Sequence, residues 1–174
     1  VVNYVDMGLP PVKLGEEGKV PLGDFNLEGS EHKKFRWTLR KAEKEGLSFR
    51  VLMPAETGNI MDRIEEISNL WLDDKNTREK GFSLGYFNRK YLANFPIGVV
   101  EFNSSIVAFA NLWPSYGKEE ISPDLMRYTS DIPMEVMDYL FLNIMIWAKE
   151  QGYRYFDLGM APLSGLEGNK MAPL

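Results

Sequence analysis

The spacing of apolar residues along the chain follows two different periods, and each period predicts a type of element. Alternating apolar and polar residues at 47–53 predict a half-buried strand. Two further apolar runs, 97–101 and 106–113, are separated by the turn-forming residues Asn103 and Ser104. The length of this segment and its turn predict an antiparallel hairpin.

Helical periodicity is found in two longer segments. Residues 58–75 carry an apolar stripe on one side, whereas residues 136–148 are apolar around most of the circumference. The second segment is too short to span a bilayer, which needs about 20 apolar residues, so it predicts a buried core helix. Apolar residues at 121–128 and 153–158 predict strands before and after that helix. The stripe of the first segment consists of Ile60, Ile64, Ile67 and Trp71.

The predicted order of elements is strand, helix, hairpin, third strand, long helix and strand. A hairpin that leads into a strand–helix–strand unit predicts a mixed α/β domain. The acyltransferase fold of the GCN5-related N-acetyltransferases has this order. In that fold, backbone N–H groups at the turn before the long helix bind the pyrophosphate of acetyl-CoA.

The corresponding turn here, residues 129–135, lacks the chemistry for that cofactor. It contains no glycine, and Pro133 removes one backbone N–H group. It also places Asp131 and Glu135 near the position of the anion. Because these carboxylates repel a pyrophosphate, we do not expect acetyl-CoA to be the donor.

Composition restricts the remaining classes of function. The chain has 174 residues, of which 44% are hydrophobic, and this is enough for one packed domain. The absence of cysteine excludes disulfides and cysteine-ligated zinc, and a single histidine, His32, argues against a His-based triad or a multi-histidine metal site. The net charge of −5 argues against nucleic-acid binding by the whole surface. No signal peptide or transmembrane run is present, so we expect a soluble chain.

Both ends of the chain indicate a fragment of a longer protein. The first residue is Val1, and residues 1–26 are rich in glycine and proline, which predicts a loop with short extended pieces. We interpret residues 1–29 as the end of a preceding domain or as a linker. Residues 30–174 are then an acyltransferase-like domain that is truncated at its C-terminus.

A basic helix is predicted directly after Ser30, which suits an N-cap. Residues 31–50 contain seven lysines and arginines but only three glutamates. Lys33, Arg36 and Arg40 share one face of this helix, where they would meet tRNA phosphates or an anionic membrane surface. The alternative is a charged face that is simply solvated.

Six segments of the chain carry a family resemblance: LEGSEHKKFRWTLRKAEKEGLSFRVL, GFSLGYF, PIGVVE, DLMRY, MDYLF and YFDLGMAPLSGLE. They resemble the C-terminal catalytic domain of bacterial phosphatidylglycerol lysyltransferases, the multiple peptide resistance factor proteins. The resemblance covers nearly the whole chain. It implies one of a tandem pair of acyltransferase-like domains, behind a membrane-embedded region and at the cytoplasmic face of the bacterial membrane.

The activity that the resemblance implies is transfer of an aminoacyl group, lysyl first of all, from aminoacyl-tRNA to the glycerol hydroxyl of phosphatidylglycerol. The aminoacylated lipid lowers the negative charge of the membrane surface, which gives resistance to cationic antimicrobial peptides. Because an aminoacyl ester is already activated, we expect no cofactor and no metal. The implied partners are aminoacyl-tRNA and phosphatidylglycerol, with a homo-oligomer of the full-length protein as a further expectation.

Two alternatives stay open beside this activity. One is a tRNA-dependent aminoacyltransferase that acts on a peptide or protein acceptor. The other is a non-catalytic binding module of the same fold. The family also uses basic residues downstream of Leu174, and their absence here argues against activity of this fragment alone. The sequence does not identify which amino acid is transferred.

The resemblance assigns the catalytic role to the aspartate and arginine of the DLMR motif, Asp124 and Arg127. An aspartate suits an ammonium ligand or a base, and an arginine suits a phosphate, which it binds through two N–H donors. Residues three apart on a regular strand face opposite sides, so both reach one site only if Pro123 or a bulge bends the strand. The alternative is an ordinary ion pair at the end of a strand.

Three weaker candidates for substrate binding are Glu167, Asp157 and Tyr86. Glu167 follows a glycine turn and suits a contact with the side chain of a lysyl substrate, or it is a solvated loop carboxylate. Asp157 lies at the end of the last strand, where it binds substrate or caps the backbone. Tyr86 and Asn111 line a pocket, or they have core or strand-face roles.

Overall fold

The computed structural model describes residues 6–9, 12–79, 85–132 and 135–165, and its central element is a six-stranded sheet. The strands are β1 (Gly15–Pro21), β2 (Leu47–Leu52), β3 (Ile97–Phe102), β4 (Ser105–Pro114), β5 (Glu120–Tyr128) and β6 (Tyr155–Pro162). The α-helices are α1 (Lys33–Lys44), α2 (Met61–Asp74), α3 (Arg89–Leu92) and α4 (Val136–Glu150). Two 3-10 helices, Pro54–Ile60 and Tyr116–Lys118, precede α2 and follow β4.

The strand order in the sheet is β1-β6-β5-β4-β3-β2. All neighbouring strands are antiparallel except β5 and β6, which run parallel and are connected through α4. Parallel neighbours need such a crossover, because a tight turn cannot return the chain to the same end of the sheet. The mixed sheet with its helices confirms the predicted α/β fold class.

Helices cover both faces of the sheet. On one face, α1 and α4 pack in a cluster that includes Phe156, and on the other face α2 and α3 pack in a cluster that includes Phe109. Neighbouring residues of β3 point to opposite sides, since Val99 belongs to the α2 cluster and Val100 to the α4 cluster. The predicted core helix is confirmed, because α4 buries residues around most of its circumference.

Two turn and cap predictions have opposite outcomes. Asn103 and Ser104 both adopt positive φ, 49° and 64°, which is the geometry of a tight hairpin turn and confirms the predicted hairpin. The prediction that Ser30 caps the basic helix was wrong, because α1 begins at Lys33 and no side chain caps its first turn. The backbone oxygen of Ser30 instead accepts a hydrogen bond from the N–H of Lys33 at 3.2 Å.

β1 lies in a stretch where only short extended pieces were predicted. Three of the seven residues of its sequence GEEGKVP are charged and the strand has no apolar period, as is common on an edge strand. In the structure it pairs antiparallel with β6 from Gly15 to Pro21, with an irregularity at Gly18. β6 also continues to Pro162, beyond the predicted end at residue 158. Residues 15–21 therefore belong to this sheet, and the domain boundary placed after residue 29 remains a prediction.

Candidate active site

β5 contains one extra residue, and this bulge decides where its side chains lie. Ala110 of β4 is opposite Met126, whereas Leu112 is opposite Pro123, so three steps on β5 match two on β4. The aspartate and the arginine of the DLMR motif both make their contacts on the face that α2 and α3 cover. The bend that a shared site requires is therefore present.

Asn111 supports the bulge from the neighbouring strand. Its side chain is fully buried, and its Oδ1 accepts a hydrogen bond from the backbone N–H of Leu125 at 2.7 Å. An interrupted ladder leaves backbone groups without strand partners, and the amide replaces one of them. The Nδ2 atom of Asn111 is buried without a hydrogen-bond partner among the described residues.

Asp124 is at the end of a chain of hydrogen bonds. The hydroxyl of Tyr91 donates to Oδ2 of Asp124 at 2.8 Å and accepts from the indole N–H of Trp113 at 2.6 Å. Asn88 caps α3, because its Oδ1 accepts from the backbone N–H of Tyr91 at 3.0 Å. The cap and the hydrogen bonds together orient the carboxylate of Asp124.

The phenol of Tyr91 is held in its protonated form. Burial raises the pKa of Tyr91 to about 12, and the carboxylate of Asp124 acts in the same direction. Trp113 and Asn111 act in the opposite direction as donors, although Nδ2 of Asn111 does not reach hydrogen-bond geometry. Near neutral pH, Tyr91 therefore remains a hydrogen-bond donor to Asp124.

Gly85 packs directly against the carboxylate of Asp124. A Cβ atom at position 85 would lie 2.5 Å from Oδ2 and 2.7 Å from Cγ of Asp124. Carbon atoms do not approach this closely without displacing their neighbour, so only glycine leaves room for the carboxylate. The segment before α3 therefore forms one wall of the site.

Arg127 is anchored near α2 on the same face. Its guanidinium lies 4.2 Å from the ring centroid of Trp71. Nη2 donates to Oε2 of Glu79 at 3.3 Å, and Nη1 donates to the backbone oxygen of Met126 at 2.9 Å. Burial lowers the pKa of Arg127, and Glu79 opposes this effect. Each Nη atom keeps a second N–H that these contacts do not use, so the guanidinium retains donors for a ligand.

The two parallel strands separate beside the site. β5 and β6 are paired at only two positions, Glu120 with Tyr155 and Ile121 with Phe156. Further along, β5 pairs with β4 and β6 pairs with β1, so the two strands lie in one sheet without continuing their own ladder. Asp124 belongs to the part of β5 that lies beyond this ladder, and it is half-buried.

Two of the three weaker candidates, Asp157 and Tyr86, lie within the described residues. Asp157 is buried, its Oδ1 accepts from the backbone N–H of Gly159 at 2.7 Å, and its Oδ2 lies 3.9 Å from Nζ of Lys19. These contacts match the capping alternative. Tyr86 follows Gly85 and is 43% exposed. Glu167 lies outside the described residues, and substrate binding by all three candidates remains a prediction.

The predicted basic surface lies on α1, across the sheet from Asp124. Lys33 and Arg40 are exposed and line a groove of about 670 Å³. Arg36 also lines it, but its guanidinium donates to the backbone oxygens of Leu27 and Gly29, the latter at 2.7 Å. Arg36 therefore holds the loop before α1 in place. The other lining residues are Trp37, Lys41, Lys44 and Glu45.

Sequence reasoning missed the side chains that hold the DLMR pair, namely Tyr91, Trp113, Glu79 and Trp71. Tyr91 is 33 positions from Asp124, and Glu79 is 48 positions from Arg127. Local periodicity carries no information over such separations. The sequence offered only an indirect signal for these four residues, since the DLMR motif indicates Asp124 and Arg127 but not the side chains that contact them.

Two negative observations concern the described ranges alone. Within them, no three His, Asp or Glu side chains are grouped so that they could hold a metal ion. None of the helices in these ranges has the length and apolarity to cross a bilayer.

The arrangement of strands and helices is an acyltransferase-like fold, related to that of the GCN5-related N-acetyltransferases. FemX shares it with a TM-score of 0.67 at 9% identity, over 92% of this chain and 59% of FemX. A GCN5-related glucosamine N-acetyltransferase region of a fungal β-N-acetylglucosaminidase shares it with a TM-score of 0.55 at 12% identity, over 87% of this chain and 18% of that one. At such identities the likeness concerns the fold alone.

The chain belongs to the family described as "Phosphatidylglycerol lysyltransferase, C-terminal", whose profile matches residues 1–174. The phosphatidylglycerol lysyltransferase of Bacillus subtilis (strain 168) is 42% identical over 164 residues, 94% of this chain and 19% of that protein. L-PGS from Bacillus licheniformis has a TM-score of 0.85 and 41% identity, over 95% of this chain and 50% of the solved one. The resemblance read from the sequence is confirmed, and the chain spans about a fifth of its curated relatives.

Proposed function

We propose that the longer protein containing this chain transfers a lysyl group from lysyl-tRNA to phosphatidylglycerol. The observation that carries the proposal is the placement of Asp124 and Arg127 on one face of β5, in a family whose name gives phosphatidylglycerol and lysyl transfer but not the donor. A carboxylate is complementary to the ammonium groups of a lysyl substrate, and a guanidinium is complementary to a lipid phosphate.

The reaction places modest demands on the protein. An aminoacyl-tRNA is an activated ester, so the site has to align two reactants and stabilise developing charge. A glycerol hydroxyl attacks the ester carbonyl, the new ester bond forms, and the bond to the ribose oxygen breaks. The proton of the hydroxyl ends on that ribose oxygen. Asp124, oriented by Tyr91, binds the ammonium of the lysyl group, while Arg127 binds the phosphate of the lipid through its unused N–H groups.

The basic face of α1 is the proposed contact for tRNA or for the anionic lipid surface. Lys33 and Arg40 are exposed, and each cation near such a surface contributes roughly 1 kcal/mol. Arg36 acts beside them by holding the preceding loop. We place the reaction at the cytoplasmic face of the bacterial membrane, in a homo-oligomer of the full-length protein. The lysylated lipid is less anionic, so cationic peptides are attracted less strongly.

The test uses the full-length protein, radiolabelled lysyl-tRNA and phosphatidylglycerol vesicles, followed by lipid extraction. Label should enter the lipid, and Asp124→Asn or Arg127→Ala should each lower its rate by about a hundredfold, because each removes a contact that aligns a reactant. Asp73→Asn and Arg154→Ala alter exposed side chains outside the site. These matched controls should transfer at the wild-type rate.

Label that stays on the tRNA, under conditions in which an established phosphatidylglycerol lysyltransferase works, would contradict the lipid acceptor. Transfer to a peptide in the same reaction would support the alternative acceptor. A parallel reaction with alanyl-tRNA shows whether lysine is selected, because alanyl transfer at an equal rate would argue against a site specific for a cationic side chain.

A further inference from the structure

Glu79 connects two parts of the site that the reaction uses separately. Its Oε2 accepts from Nη2 of Arg127 at 3.3 Å, and its Oε1 accepts from the backbone N–H of Phe87 at 3.1 Å. Phe87 follows Gly85 by two residues, and Gly85 packs against the carboxylate of Asp124. One carboxylate therefore joins the guanidinium to residues 85–88, the Gly85 segment, which forms the wall beside Asp124.

The orientation of Arg127 depends on this carboxylate. The side chain of Arg127 is 11% exposed, and its Nε is buried without a hydrogen-bond partner among the described residues. The guanidinium lies over the ring of Trp71, 4.2 Å from its centroid, and this contact does not by itself set the direction of the N–H groups. The bond to the backbone oxygen of Met126 uses one N–H of Nη1. Within the described ranges, the ion pair with Glu79 is the charged contact that sets this direction.

We propose that Glu79 is a positioning residue of this active site: it orients Arg127 and fastens the Gly85 segment against Asp124. The inference rests on the proposed function, because lipid transfer is the reaction for which Arg127 and Asp124 are positioned. The carboxylate of Glu79 has both oxygens engaged by protein donors. In this proposal its effect on the reaction passes through Arg127 and the Gly85 segment, the two groups that it contacts.

The kinetic test compares variants of the full-length protein with lysyl-tRNA and phosphatidylglycerol vesicles. Glu79→Ala should lower kcat on the order of a hundredfold, with a smaller change in KM for the tRNA, because a small misplacement of an aligning group is costly. Glu79→Gln keeps an acceptor for the N–H of Phe87 and should lose less. Glu66→Gln removes an exposed glutamate that pairs with Arg63, and this matched control should stay at the wild-type rate.

A double variant separates positioning from a general structural role. Arg127→Lys already abolishes the planar fork that Glu79 orients. Adding Glu79→Ala to Arg127→Lys should therefore lower kcat less than Glu79→Ala lowers it in the wild-type protein, and the loss that is left reports the Gly85 segment. Losses that multiply in full would show that Glu79 acts independently of Arg127, and this result would overturn the proposal.

A spectroscopic test does not require activity. The near-ultraviolet circular dichroism of Trp71, isolated by subtracting the spectrum of Trp71→Phe, reports whether the guanidinium lies over the ring. Glu79→Ala and the volume-conserving Glu79→Gln should shift this signal towards that of Arg127→Ala, whereas Glu66→Gln should not. An unchanged signal in a folded Glu79→Gln protein would overturn the inference. If the variants shift this signal but the wild-type protein transfers no label to lipid, the positioning role is supported and the proposed function is refuted.

Discussion

The polar groups of the site are half-buried or exposed, and they already make hydrogen bonds to one another. Trp113, Tyr91 and Asp124 form a chain of two hydrogen bonds, and such chains strengthen one another where water is partly excluded. The DLMR motif was recognisable as family-specific residues, but nothing local in the sequence indicates that Tyr91 orients the aspartate. The physical reason is that the chain segments carrying these residues meet only after folding.

Gly85→Ala tests the close packing against Asp124. The new Cβ would lie 2.5 Å from a carboxylate oxygen, so the carboxylate has to move and lysyl transfer should fall on the order of a hundredfold. Gly58→Ala is the matched control, because a Cβ there meets nothing within 4 Å. Rates of label transfer to lipid should separate the two variants. Wild-type transfer by Gly85→Ala would show that the position of the carboxylate is not critical.

Among the elements, β5 has the largest influence on the site, because its bulge brings Asp124 and Arg127 to one face. The alternation rule alone places residues three apart on opposite faces. The sequence indicated that a bend is required, and Pro123 lies at the right place. The register against β4 and the amide of Asn111, however, are properties of the assembled sheet.

Asn111→Leu should weaken this strand. The variant removes the acceptor for the N–H of Leu125, and a buried donor without a partner costs about 1–3 kcal/mol. Urea denaturation should show that decrease in the free energy of unfolding, accompanied by reduced lysyl transfer. Asn143→Ala, on α4, is the comparison, because the bond of this side chain to the oxygen of Tyr139 supplements an intact helix. If Asn111→Leu and the wild-type protein have equal free energies of unfolding, the amide of Asn111 does not support the bulge.

Across the whole molecule, the site and the basic groove lie on opposite sides of the sheet. α2 and α3 cover the face with Asp124, and α1 packs with α4 on the other face. Under the proposed function, tRNA or a membrane surface would engage α1 while a small reactive group reaches β5. The overall charge of −5 conceals this local basic surface.

Replacing Lys33 and Arg40 together with alanine should reduce the salt dependence of binding. Each lost phosphate contact lowers the slope of log affinity against log salt by about one, so the double variant should lower it by about two. Filter binding of lysyl-tRNA to the full-length protein at several salt concentrations measures the slope, with Arg154→Ala as the control. An unchanged slope with weaker binding to anionic vesicles would assign the groove to the lipid surface. No change in either would contradict both contacts.

The sequence by itself determined the order of the main elements, the mixed α/β class, the hairpin, the core helix and the family. These depend on periodicity, turn residues and motifs, which act over short stretches of chain. Only the tertiary structure decided that residues 15–21 form an edge strand, that β5 bulges, and that Glu79, Gly85 and Tyr91 surround the DLMR pair. Those features arise from contacts between distant segments, whose energies depend on the packed arrangement and leave no local period in the sequence.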